Sequence, residues 1–251
     1  MVPDMRFLLL NIGNTHTQWA FADNSGNIEL PVSTVATARW LDDLSLLPTV
    51  DSELRVWAAS VVPQAKKVLS ESCLYKSLHW VDAAAGVIAG LDFQQVDIST
   101  LGADRIANAA ALLSGGRLPA SNFDCGTAIT LETVLENGVF AGGAIMPGRK
   151  LMRMALAKGT AALPDLPLDL SLPEDFGKNT LQAMTLGVDL GAVGMVRELM
   201  RRSAAAGIKY MVASGGDAEF FCRHLTELKA AGNLFTLRGR QFIASKPLEK
   251  E

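Results

Sequence analysis

LLLNIGNTHTQWA, residues 8–20, returns in altered form as FDCGTAITLETV, residues 123–134. Each stretch is an apolar run that ends in a polar residue and a glycine turn: Asn11-Ile12-Gly13-Asn14-Thr15 in the first, Asp124-Cys125-Gly126-Thr127-Ala128 in the second. A strand that feeds such a turn places backbone N–H groups and a short hydroxyl or amide side chain inside a tight bend, where phosphate oxygens bind. One such turn alone is more often an ordinary hairpin with solvated turn residues. Two matching turns, about half a chain apart, point instead to an internal duplication.

Working outward from the first turn, three strands are predicted over Arg6–Ile12, Thr17–Ala22 and Ile28–Val35, joined at Gly13 and at Asn24-Ser25-Gly26. A helix-like segment from Ala38 to Leu46, a strand from Leu54 to Ser60 and a helix opening at Pro63 then change the pattern to alternating strand and helix. Residues 103–113, ADRIANAAALL, read as a helix that stops at Ser114-Gly115-Gly116, the natural domain boundary. Outward from the second turn, two strands meet at Asn137-Gly138, a dipeptide that favours a tight hairpin. Helices near Gly148–Ala161 and Asn179–Ala206, a strand Lys209–Ala213 and a helix after Gly215-Gly216 complete an α/β chain. The expected domains are residues 1–116 and 117–251.

Composition narrows the classes. With 251 residues, 49% of them hydrophobic, the chain can bury a large core or two smaller ones. A net charge of −3 argues against a nucleic-acid partner. Cys73, Cys125 and Cys222 are odd in number and lack zinc-site spacing, which predicts reduced thiols and a cytoplasmic location. The apolar run Phe7–Leu10 is too short for a membrane span or a signal peptide, so no membrane association is expected. Neither a Walker nor a dinucleotide glycine fingerprint is present, so a phosphate site here belongs to another class.

Phosphoryl transfer relies on positioning and charge neutralisation, and it needs a carboxylate near the metal and a base near the acceptor hydroxyl. Asp124 ends an apolar strand beside a glycine turn, where a carboxylate either caps the turn or serves a cation. Asp104, in Leu101-Gly102-Ala103-Asp104-Arg105, opens the predicted helix. It suits either the helix dipole or a base, with Arg105 as an anion clamp. Asn179 and Thr180 both suit a helix N-cap.

Taken in order, Asn11-Ile12-Gly13-Asn14-Thr15, Gly102-Ala103-Asp104-Arg105, Asp124-Cys125-Gly126-Thr127-Ala128, Gly142-Gly143-Ala144-Ile145-Met146-Pro147-Gly148 and Gly177-Lys178-Asn179-Thr180 resemble the motifs of the type III pantothenate kinases. Ser60-Val61-Val62-Pro63 is a smaller agreement. The resemblance implies two duplicated ribonuclease H-like domains of the actin and sugar kinase superfamily, each a mixed five-stranded sheet with flanking helices. It implies ATP-dependent phosphorylation of pantothenate at the entry to coenzyme A biosynthesis, with Asp104 as the general base. Gly102, Ala103, Arg105 and Thr180 would join Asp104 in holding pantothenate. Asn11, Ile12, Gly13, Asn14, Thr15, His16, Thr17, Gln18 and Thr127 would contact ATP, Mg²⁺ would accompany it, and Asp124 would bind a monovalent cation, K⁺ or NH₄⁺. A homodimer is implied as well.

Three departures accompany the resemblance. Asn11 stands where the family carries Asp, which keeps a carbonyl but removes a negative charge beside the expected Mg²⁺. Loss of a charge-assisted contact there would cost about 1.5 to 3 kcal/mol, or roughly ten- to more than a hundredfold in rate if felt in the transition state. Gln95–Leu101 lacks the family's Tyr and Pro, and Leu131-Glu132 replaces an aromatic-Asp pair. The alternative readings are therefore a non-catalytic ligand-binding or regulatory homologue, and a kinase of the same fold for another small hydroxy acid.

Overall fold

The computed structural model describes residues 5–51, 53–232 and 234–247. The run Phe7–Leu10 has no solvent exposure, the mark of a strand covered on both faces. It lies within β1 (Met5–Ile12), which pairs antiparallel with β2 (His16–Asp23) and parallel with β4 (Arg55–Ser60). Outside these lie β3 (Ser33–Ala36) and β5 (Leu78–Trp80), giving the order β3-β2-β1-β4-β5. The third strand is shorter than predicted. Ile28 makes only an isolated bridge to Ala22, and Pro31, which has no N–H to donate, precedes the ladder.

Alternation along β1 sends Leu8, Leu10 and Ile12 to a core with Trp40 of α1 (Thr37–Asp42) and with Ala65 and Leu69 of α2 (Pro63–Glu71). Phe7, Leu9 and Asn11 therefore share the opposite face. There the chain supplies α3 (Ala83–Ile88), α4 (Ala103–Ser114) and, from its far end, α8 (Phe235–Ala244). The last of these packs on α4, β1 and β4. Gly239 is what lets it approach: a Cβ built there would lie 1.8 Å from the Ala107 carbonyl oxygen.

The second sheet repeats the plan. It contains β6 (Ala120–Cys125), β7 (Ala128–Val134), β8 (Phe140–Pro147), β9 (Tyr210–Ser214) and β10 (Lys229–Ala230), in the order β10-β9-β6-β7-β8. Read from the other edge, that is the order of the first sheet with every strand advanced by five. Central β6 is parallel to β9, as β1 is to β4. The helices are α5 (Arg149–Gly159), α6 (Thr180–Ala205) and α7 (Ala218–His224).

Contacts divide the chain into two units: residues 1–118 with 134–142 and 234–251, and residues 119–133 with 143–233. The segment 134–142 joins the first unit through backbone bonds in which Asp92 donates to Gly138 and accepts from Phe140. It holds the predicted Asn137-Gly138 turn, which is not a bare two-residue hairpin. A short 3₁₀ turn spans Glu136–Gly138, and Asn137 and Gly138 both take positive φ, 61° and 81°.

Introducing a methyl at Gly239 tests the α8 contact. We expect Gly239→Ala to lower unfolding stability by about 1 to 3 kcal/mol in urea denaturation, because overpacking outweighs the roughly 1 kcal/mol that alanine gains over glycine in a helix.

Candidate functional site

In the first unit the expected phosphate turn is fastened from inside. Gly13 N–H donates to the His16 carbonyl at 3.0 Å and Thr15 accepts from the Thr37 N–H. The Thr37 hydroxyl donates to the Gly13 carbonyl at 2.7 Å, meets the Thr17 hydroxyl at 3.0 Å, and Thr17 in turn accepts from the Trp40 indole at 2.6 Å. Thr17, Thr37 and Trp40 are buried. Thr17 thus holds the turn from within, while Asn14, Thr15 and His16 are exposed at its tip and Ile12 packs into the core.

Asn11 is the penultimate residue of β1, just before this turn, and its Oδ1 accepts from Arg240 Nη2 at 2.7 Å. Arg240 is completely buried in α8. The side-chain oxygen of Asn11 is therefore engaged by a guanidinium, whose positive charge opposes a divalent cation at the same atom.

Asp104 stands in the first turn of α4, with Gly102 as the N-cap. Its Oδ1 accepts from the Arg105 N–H at 2.8 Å, and a Cβ on Gly102 would come within 2.5 Å of that oxygen. Gly102 is thus needed for the carboxylate to sit over the helix start. Arg105 lies over the Phe140 ring, 5.8 Å from its centroid. The carboxylate and the guanidinium are both half-buried, open to a ligand yet anchored.

In the second unit Asp124 is the penultimate residue of β6, and the Gly126 N–H donates to the Ala128 carbonyl at 3.0 Å. Two glycine contacts close on this turn. A Cβ on Gly148 would lie 2.2 Å from the Gly126 carbonyl oxygen, and one on Gly215, at φ 87°, would lie 2.6 Å from both Asp124 Oδ1 and the Cys125 carbonyl oxygen. Gly148 N–H donates to the Thr127 carbonyl, and Asp217 N–H to the Cys125 carbonyl. Thr127 is left exposed at the tip. Burial pushes the Cys125 thiol up, reinforced by the charges of Asp124 and Asp217, so it stays protonated.

Arg149, the residue after Gly148, chelates Asp217 with bonds of 2.7 and 2.5 Å, stacks on Phe220 and lies 3.1 Å from Asp189. Burial opposes its charge, but Asp217 and Asp189 together hold its pKa above the usual value. Asp189 also accepts two bonds from the buried Arg153, whose other nitrogen donates to the Pro167 carbonyl. None of Arg149, Asp217, Arg153 or Arg240 stood out in the sequence. Only Arg149 and Asp217 had a local clue, each following a glycine of a recognised segment.

Thr180 is the first residue of α6, and the cap before it is Asn179, whose Oδ1 accepts from Gln182 N–H at 2.9 Å. The Thr180 hydroxyl is thus not needed for capping. It borders a cavity of about 730 Å³ whose wall is otherwise mostly apolar, with Met152, Leu156, Leu163, Met184 and Val188. Gly177 packs on the same helix start, its Cβ position 2.3 Å from Ala183 N. Among the described residues no cluster of three or more His, Cys, Asp or Glu could hold a metal ion.

The family model described as type III pantothenate kinase matches residues 7–202. The chain belongs to the type III pantothenate kinases. A type III pantothenate kinase of Herminiimonas arsenicoxydans is 31% identical over 233 residues, covering 87% of this chain and 90% of the relative. One from Dehalococcoides mccartyi is 35% identical over 196 residues, covering 75% and 73%. Among solved structures, a Campylobacter jejuni protein named for the Baf family of transcriptional activators superposes with a TM-score of 0.61 at 19% identity, covering 94% of this chain and 96% of that one. The fold is two mixed five-stranded sheets with flanking helices, as the motifs implied. The pantothenate kinases are ATP-using phosphotransferases, and the family implies a divalent metal ion.

In this pantothenate kinase the Arg149–Asp217 pair should be energetically coupled. A double-mutant cycle of Arg149→Met and Asp217→Asn, followed by chemical denaturation, is expected to give an interaction energy of about 1 to 3 kcal/mol. A value near zero would show that the chelate does not hold the second turn.

Proposed function

We propose that the chain transfers the γ-phosphoryl group of ATP to the primary hydroxyl of pantothenate, the first step of coenzyme A biosynthesis, with Asp104 as the general base. The observation that carries this assignment is the half-open Asp104 carboxylate, anchored at the start of α4 by the Arg105 N–H. Asp104 takes the hydroxyl proton, the alkoxide oxygen forms its bond to the γ-phosphorus, and the bond to the ADP oxygen breaks. Gly102, Ala103, Arg105 and Thr180 are the proposed pantothenate contacts. The turn Asn11–Gln18 and Thr127 are the proposed ATP contacts, with Thr17 acting through the bonds that hold the turn rather than through a free hydroxyl.

Asp124 is the proposed ligand of a monovalent cation. A single half-buried carboxylate beside backbone carbonyls suits a weakly held K⁺ or NH₄⁺ better than a transition metal. Residues 1–116 and 117–251 are the proposed duplicated halves, a reading supported by the equal strand orders of the two sheets. A homodimer is supported by large apolar side chains left open on the second unit: Ile145, Leu151, Phe176 (78% exposed), Leu181 and Leu190. Cytoplasmic residence is supported by three cysteines that remain free thiols. No described helix is long and apolar enough to cross a membrane.

The test is ATP consumption with pantothenate, Mg²⁺ and either K⁺ or Na⁺, with the phosphorylated product confirmed by mass. Product formation stimulated by K⁺ is expected, and Asp104→Asn should lower kcat by about 10²- to 10⁴-fold with little change in the KM for ATP. Unchanged turnover in that variant would remove Asp104 as the base. Sedimentation should show twice the 26.7 kDa chain mass, and Leu181→Glu with Leu190→Glu should shift it to monomer. A wild-type protein that sediments only as monomer would remove the dimer.

A further inference from the structure

Arg240 is distant from every motif, yet its guanidinium reaches the one residue that departs from the family at the first phosphate turn. The bond has only one possible sense. A guanidinium carries donors and no acceptor, so the Asn11 atom that faces Arg240 Nη2 at 2.7 Å must be the carbonyl oxygen. The orientation of the carboxamide, elsewhere a matter of choice between two nearly identical ends, is fixed here by its partner. The other branch, the NH₂ group, must then point away from Arg240. Asn11 is half-buried at the end of β1, where the strand enters the Gly13 turn.

We propose that Arg240 is a positioning residue for this site, and that the Asn11–Arg240 pair presents an N–H donor to the nucleotide phosphates, where a carboxylate would have presented an acceptor for a metal ion. The proposal rests on the reading of the turn as an ATP contact. Its chemistry is consistent with the pair as built. Asn11 adds no negative charge beside an incoming polyphosphate, and an amide donor bonds a phosphate oxygen directly, without a bridging cation. An Asp at this position would also accept from Arg240, but its second oxygen could only repel a bare phosphate or bind a metal. The packing that delivers Arg240 is specific as well. It follows Gly239, whose lack of a side chain brings α8 against the Ala107 carbonyl and its neighbour within reach of β1.

The test separates phosphate binding from catalysis. ATP affinity is measured by calorimetry in EDTA and again with Mg²⁺, on wild type, Asn11→Asp, Arg240→Lys and Arg240→Gln, each first shown to be folded by circular dichroism. Wild type should bind ATP in EDTA with an affinity within about threefold of that with Mg²⁺, whereas Asn11→Asp should lose about tenfold or more in EDTA and regain it with Mg²⁺. Arg240→Lys, whose ammonium only donates, should retain metal-free binding. Arg240→Gln, which can donate or accept, should lose it by freeing the Asn11 amide to turn over. In ¹⁵N-labelled protein, the Asn11 side-chain NH₂ resonance, assigned by its loss in Asn11→Asp, should shift saturably with ADP in EDTA.

Equal metal-free affinities of wild type and Asn11→Asp, or an Asn11 resonance that ADP does not move, would overturn the proposal. So would indistinguishable Lys and Gln variants. Pantothenate phosphorylation is assayed in parallel. Turnover together with any of those three results keeps the kinase reading and rejects the donor role, whereas the expected binding pattern without turnover keeps the donor role and rejects the reading.

Discussion

No side chain separates α8 from α4 at Gly239, where the helix backbone meets the carbonyl of Ala107. That close approach places a helix from the end of the chain between two elements that carry candidate chemistry, α4 with Asp104 at its start and β1 with Asn11 at its end. The second unit uses the same device. Gly148 lies against the Gly126 and Thr127 carbonyls, and the residue after it is again an arginine, which reaches Asp217 as Arg240 reaches Asn11. In each unit a glycine brings a backbone close and the next residue's guanidinium ties a glycine turn or its neighbour. Glycine is required because the contact is with backbone, which cannot rotate aside.

Buried guanidinium groups are costly to desolvate, and a buried ion pair often contributes no more than a hydrophobic pair of equal size. Arg149, Arg153 and Asp189, all at 4% exposure or less, are therefore better understood as fixing a geometry than as stabilising the fold. The planar fork of arginine serves that purpose, because two parallel bonds to a carboxylate define an angle as well as a distance. Arg149 meets Asp217 in this way, and Asp217 follows the Gly215 turn that presses on Asp124.

Much of this architecture was legible in the sequence, because it depends on local patterns. The apolar run of β1, the proline that opens α2, the alanine-rich α4 and the two glycine turns each carry their signal within a few residues. Repetition of the turns pointed to two like halves, and the two sheets have equal strand orders. What escaped was short or non-local. The strands β5 and β10 have three and two residues, too few for any periodicity. The last helix contains Gly239 and two arginines, which by local propensity reads as a weak helix. Its purpose becomes apparent only against α4 and β1. The partners of the Thr17 hydroxyl, Trp40 and Thr37, lie twenty or more positions away.

The exchange of a carboxylate for a carboxamide at Asn11 acts on two terms of opposite sign. A carboxylate attracts a divalent metal and repels the phosphates that the metal accompanies. At a separation of 4 Å and an effective dielectric constant of 20, each unit-charge term is about 4 kcal/mol, so neither can be neglected. Which one governs depends on how the polyphosphate's own charge is met. Where a bound metal bridges carboxylate and phosphate, losing the carboxylate weakens the bridge. Where fixed donors meet the phosphate directly, losing it removes repulsion and leaves the hydrogen bonds in place. The Arg240 contact bears on that choice, because it sets a positive charge on the side-chain oxygen through which Asn11 could have served a metal.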